Sequence, residues 1–113
     1  MVKIASLSSN SDFKKLLKLK KINNNYFIIY FGKIYPKINN NLLKISFIAK
    51  KKIGNAVQRN KIKRKLKSAV LKNRDKILNK NYAYLLIAKQ NVFKEKFNVI
   101  NKEIGKTFEK IRD

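Results

Sequence analysis

The sequence predicts one α+β domain over residues 1–113, with elements in the order α-β-β-β-α-β-α and a mixed sheet. Three observations carry this. Runs of aromatic and β-branched residues at 25–35, 42–50 and 82–89 have strand composition, which locates three of the four strands in that order. Apolar residues at helical spacing mark 6–18, 55–73 and 91–113. A strand, a helix and a strand in succession across 42–89 require a crossover, and hence a parallel pair. Nothing repeats at a fixed period and no linker divides the chain.

In SLSSNSDFKKLLK (6–18), Ser9 can cap a short helix, and Asp12 three residues on favours its positive end. Phe13, Leu16 and Leu17 then share one face. In NYFIIYFGKIY (25–35), alternation puts Tyr26, Ile28 and Tyr30 on one side and Phe27, Ile29 and Phe31 on the other. One side should cover the core, and the other is available to stack unpaired bases. Pro36 and the Asn run 39–41 mark a loop, and LLKISFIAK (42–50) is expected to pair with 25–35 as a hairpin. YAYLLIAK (82–89) has a continuous apolar middle, which suggests burial on both faces.

Gly54 permits the turn out of the second strand, Asn55 can cap the helix at 55–73, and Gln58 completes a capping box. At 100° per residue, Ile62, Leu66, Ala69 and Val70 form one apolar stripe. Asn60, Arg64 and Lys67 lie opposite; Lys61, Lys65 and Lys72 flank one side and Lys63 the other. In the last segment Phe93, Phe97, Ile100, Ile104, Phe108 and Ile111 make a second stripe, which Gly105 weakens by roughly 1 kcal/mol relative to Ala.

The formal charge is +23, from 29 basic against 6 acidic residues. Such an excess repels itself unless a polyanion is present, so nucleic acid is the leading partner and an anionic membrane the second. Lys, Asn and Ile have A/T-rich codons, which explains part of the lysine excess. The 4 Arg are therefore informative, and Arg59 and Arg64 both fall in KKIGNAVQRNKIKRK (51–65). Arginine grips phosphate with a planar fork that lysine lacks. A merely solvated helix intersperses both signs, yet the nearest acid after this stretch is Asp75.

Catalytic chemistry is scarce. The chain has no His and no Cys, which removes the commonest general base and the soft metal ligands. Its carboxylates are scattered, and it contains neither a phosphate-cradling G-x-x-x-x-G-K-S/T loop nor a G-x-S-x-G turn. Binding is expected, with no catalytic or metal-ligating residue on the protein. No apolar run reaches membrane-spanning length and the first ten residues lack an apolar signal core, so a cytoplasmic location without membrane contact is expected.

KKIGNAVQRNKIKRKLKSA (51–69) resembles the signature of the bacterial ribonuclease P protein subunits, K-x-G-x-A-V-x-R-N-[RK]-x-[KR]-R. Lys52, Gly54, Ala56, Val57, Arg59, Asn60, Lys61, Lys63 and Arg64 all match. SDFKKLLK, NYFIIY and YLLIAK resemble that family's first helix, aromatic strand and final strand. The resemblance implies a left-handed crossover around the basic helix, against the usual rule. It implies a monomeric subunit, one per catalytic RNA, that promotes removal of the 5′ leader from precursor tRNA, with the RNA supplying the active site and binding Mg²⁺. By matching position, Lys52, Arg59, Asn60, Lys61, Lys63 and Arg64 would meet the catalytic RNA, with Lys67 joining them from the same outer face of the helix, and Phe13, Leu17, Tyr30 and Lys50 would line a leader cleft. Three departures stand out: Leu17 where an aromatic is common, Lys61 where Arg is usual, and Lys50 where Ser is frequent. The main alternative is a ribosomal protein binding structured rRNA, and a protein-only ribonuclease is a further rival.

Overall fold

The strand that is apolar on both faces takes the centre of the sheet. The structure, a computed structural model, describes residues 3–5, 10–33, 42–77 and 82–111, with side chains over 14–33, 44–77 and 82–111. In chain order the elements are β1 (Lys3–Ala5), α1 (Asn10–Leu17), β2 (Lys20–Asn23), β3 (Phe27–Gly32), β4 (Leu42–Ile48), α2 (Ala56–Lys72), β5 (Ala83–Ala88) and α3 (Phe97–Lys110). Short 3-10 turns occupy Lys51–Ile53, Arg74–Lys76 and Gln90–Val92. The sheet has five strands in the order β1-β4-β5-β3-β2. β5 runs parallel to β4 and antiparallel to β3, with Phe47 opposite Leu86 and Ile29 opposite Leu86 from the other side.

The sheet departs from the sequence reading in pairing. Segment 42–50 does not form a hairpin with 25–35, because β5 lies between them. Five of the six β5 residues are buried, so both its faces and both its edges need cover. β3 pairs instead with β2, in register Lys21 to Tyr30 and Asn23 to Ile28. β1, which the sequence reading did not assign, runs parallel to β4. Ser9, Tyr35, Pro36 and the Asn run 39–41 lie outside the described residues, as do the side chains of Asp12 and Phe13.

The β2–β3 turn is built by asparagine. Asn24 Oδ1 accepts from the main-chain N–H groups of Tyr26 (2.8 Å) and Phe27 (2.9 Å). Asn and Asp readily make this local mimic of a backbone turn. The NNN run at 23–25 is therefore structural as well as compositional. Tyr26 sits in this turn, packs against the core on the helix side and donates its hydroxyl to Glu95 Oε2 at 3.0 Å. The Glu95 carboxylate holds the phenol above its ordinary value, with burial adding to it.

α2 and α3 cover one face of the sheet. Phe27, Ile29, Phe31, Ile45, Tyr84 and Leu86 meet Ile62, Leu66, Ala69 and Val70 from α2 and Ile100, Ile104 and Phe108 from α3. The α2 stripe is the one its spacing predicts. On the opposite face α1 inserts Leu16 against Ala83 and Leu85.

The junction of α2 with α3 is polar and tight. Asn73, buried at the end of α2, donates Nδ2 to the Ala69 carbonyl (2.8 Å) and to Asn101 Oδ1 (2.8 Å). Gly105 lies against it: a Cβ there would stand 2.8 Å from Asn73 Oδ1 and 3.0 Å from Lys76 Nζ. The close approach explains a glycine inside a helix. Gly105→Ala is therefore expected to forfeit the gain of roughly 1 kcal/mol that helix propensity alone would give, and to lower the urea midpoint; a raised midpoint would show that the junction yields freely.

Candidate nucleic-acid interface

The chain turns sharply before α2. Gly54 adopts φ 157° and ψ 179°, a conformation that L side chains rarely adopt. A Cβ at Gly54 would also stand 2.5 Å from Gln58 Oε1. That oxygen is engaged: it accepts from the Asn55 N–H at 2.9 Å, while Asn55 Oδ1 accepts from the Gln58 N–H at 2.9 Å. The predicted capping box is thus formed, and the glycine leaves room for it.

With its stripe docked, α2 turns most of its remaining circumference outward. Asn60, Lys61, Lys63, Arg64 and Lys67 are exposed, and Arg59 is half-buried with Nε 3.4 Å from the Asn55 carbonyl. Among the described residues none of Lys61, Lys63, Arg64 or Lys67 is paired with an acid. The first turn carries no acid either. The result is a cationic rod with a few amide groups, able to hold phosphates along its length. Two further cations of α2 have local partners: Lys72 Nζ lies 5.0 Å from the Phe97 ring centroid, and Lys65 Nζ is bonded to main-chain carbonyls.

The second surface is the sheet face opposite α2 and α3. Ile28 and Tyr30 of β3 point this way, and strand register places Leu85 and Ile87 of β5 beside them. Both β3 residues are half-buried. Lys21, opposite Tyr30, holds its Nζ 6.0 Å from the ring centroid. Of the two tyrosines that alternation puts on one side of this strand, only Tyr30 lies on this face, since Tyr26 belongs to the turn and the helix side. Phe27 and Phe31 are core.

Two residues along β3 from Tyr30, roughly 7 Å away, the same face deepens into a groove of about 460 Å³. Its apolar floor is Ile28, Ile53, Ile87 and Ala88, and its polar rim is Lys50, Lys52, Lys89 and Gln90. Lys52, assigned by resemblance to the catalytic RNA, thus shares a groove with Lys50, assigned to the leader. Lys89 and Gln90 were not singled out from sequence. Lys89 Nζ donates to Asn23 Oδ1 and to the Asn24 carbonyl, which sets it at the groove's end. At the far side α1 presents Leu17, 47% exposed, beside its buried neighbour Leu16. Phe13 lies on the same helix, and its side chain is outside the described residues.

Apolar floor, aromatic ring and cationic rim together have the chemistry that suits an extended single strand, an apolar surface for bases and cations for phosphates. Among the described residues no three of His, Cys, Asp and Glu come together as metal ligands.

The model of the family described as Ribonuclease P matches residues 1–112. The chain is 34% identical over 105 residues to the "Ribonuclease P protein component" of Macrococcus caseolyticus, across 92% of this chain and 87% of that one. It is similar to the structure of the Staphylococcus aureus RNase P protein, with a TM-score of 0.68, 26% identity and coverage of 86% and 85%. The RNase P protein from Thermotoga maritima shares the fold at a TM-score of 0.80 over 96% and 99% of the two chains, with 21% identity.

Asn55→Ala breaks the capping box that presents the first turn of α2. A loss of about 1 kcal/mol is expected, read as a lower denaturation midpoint together with faster amide exchange at residues 57–59. Unchanged exchange there would show that the cap does not hold this turn.

Proposed function

The chain belongs to the ribonuclease P protein family, and from that premise we propose how its two surfaces divide the work. The outer face of α2, with Arg59, Asn60, Lys61, Lys63, Arg64 and Lys67, binds the catalytic RNA. The open sheet face, with Tyr30, Leu17, Phe13, Lys50 and the groove beyond it, holds the single-stranded 5′ leader of precursor tRNA. Lys52 stands where the two meet. The RNA subunit carries out the hydrolysis that removes the leader, and the protein raises its affinity for substrate. We place the complex in the cytoplasm, with one protein per RNA.

The observation that carries this reading is the lack of acidic partners, among the described residues, for the outward cations Lys61, Lys63, Arg64 and Lys67. Left alone, these like charges repel along one helix, and phosphates offset the repulsion while releasing counterions. The family match does not favour an rRNA-binding ribosomal protein.

Mg²⁺ is the ion the reaction is proposed to need. The chain's own donors do not fit it, since it prefers oxygen ligands and the described carboxylates are not gathered. The ions are therefore assigned to the RNA and the substrate. The protein's part is to orient the leader and to neutralise backbone charge beside the scissile region. Lys61 contributes a point charge where an arginine would add a bidentate grip.

Adding the protein to its cognate ribonuclease P RNA at low Mg²⁺ is expected to stimulate leader removal from precursor tRNA. No stimulation, or cleavage by the protein without RNA, would overturn the reading. Two substitutions separate the surfaces. Arg64→Ala should make the log–log salt dependence of binding to the catalytic RNA shallower by about one unit, because one phosphate fewer is neutralised; an unchanged slope removes Arg64 from the interface. Tyr30→Ala should weaken binding of leader-bearing precursor by roughly 1–3 kcal/mol if one base stacks on the ring, and leave mature tRNA unaffected. Equal weakening for both would show that Tyr30 only packs.

A further inference from the structure

One lysine of the basic helix does not face outward. Lys65 is half-buried, and its Nζ donates to the main-chain carbonyls of Val92 (2.9 Å), Phe93 (3.2 Å) and Glu95 (2.7 Å). An ammonium group has three protons, and three acceptors are in place, so no donor remains for a phosphate. These carbonyls belong to the 3-10 turn after β5 and to the residues that lead from it into α3.

The same segment is bonded on its other side to the β2–β3 turn. The Lys89 N–H donates to the Tyr26 carbonyl at 2.8 Å, and Asn91 Nδ2 to the Asn25 carbonyl at 2.7 Å. The Tyr26 hydroxyl reaches Glu95. Lys89 and Gln90 also line the groove. Residues 89–95 thus join three parts: α2 through Lys65, the hairpin turn through Lys89, Asn91 and Glu95, and one end of the groove.

We infer that Lys65 is a positioning residue that contacts no RNA: by locking the basic helix to the 89–95 segment it sets where that helix lies relative to the groove. RNA on the helix and a strand in the groove are then held in one fixed geometry. This rests on the proposed division of the two surfaces, while the lock itself is a property of the free protein.

Full-length Lys65→Met and Lys65→Arg test it with three readouts. Amide exchange of the free protein reads the lock, salt dependence of binding to ribonuclease P RNA counts phosphates, and the affinity ratio of precursor to mature tRNA reads the groove. For Lys65→Met, protection at residues 97–100 is expected to fall about tenfold or more as charge-assisted bonds disappear. The log–log slope should stay unchanged and the affinity ratio should fall. Lys65→Arg, which keeps charge and donors, should restore protection and ratio.

A slope shallower by about one unit with protection intact would make Lys65 a phosphate ligand and overturn the inference. Diminished protection with an unchanged ratio would overturn the link to the groove. If the wild-type complex itself does not distinguish precursor from mature tRNA, the leader reading fails, and the exchange data still decide the lock.

Discussion

Burial of one narrow stripe, Ile62, Leu66, Ala69 and Val70, is the interaction on which the rest of the structure depends. The larger of these side chains each contribute about 1.5–3 kcal/mol when removed from water. That gain must hold a helix whose remaining surface is crowded with like charges. The stripe fixes the helix's rotation, and rotation decides which cations face outward. The 51–54 turn, the Asn55 cap, Lys65 and Asn73 all reinforce the same placement. A chain of charge +23 folds this way by confining its apolar contacts to one sector of α2 and leaving the rest to solvent and to a polyanion.

The position of the acids supports this division. Asp75, Glu95, Glu103 and Glu109 lie in the 3-10 turn after α2, in the segment before α3 and on α3 itself. Glu109 stands 3.5 Å from Lys76 Nζ, and Glu95 receives the Tyr26 hydroxyl. None of the acids whose side chains are described is on α2, the open sheet face or the groove rim. The described acids thus sit among the cations of the α3 side, and the outer face of α2 and the groove rim carry cations without them.

Elements governed by local chemistry were legible in the sequence. The capping box at Asn55 and Gln58, the α2 stripe, and the double-sided burial of β5 follow from spacing and residue type alone. The parallel pairing of β4 with β5 followed from the crossover between them. What could not be read was set by distant partners. The place of β5 between β3 and β4 is a non-local choice, and it displaced the hairpin that local spacing favoured. β2, KKIN, has no apolar alternation to announce a strand. Tyr26 obeys alternation on paper and leaves it in the structure, because the strand begins one residue later. Lys65 looked like its basic neighbours, and the carbonyls that hold it come from residues 27 to 30 positions away. The groove was half visible, through Lys50 and Lys52, and its far end at Lys89 and Gln90 needed the fold.

The most direct test of the central claim is to ask which RNA each surface touches. The chain has no cysteine, so a single one can carry a tethered hydroxyl-radical source. Ser68→Cys places it on the exposed side of α2, and Lys21→Cys on the sheet face beside Tyr30. In the reconstituted complex the α2 probe should cut the catalytic RNA, and the sheet-face probe should cut the 5′ leader of the precursor. If both probes cut the same strand, or the sheet-face probe cuts no leader, then the two faces do not divide the RNAs and the account is wrong.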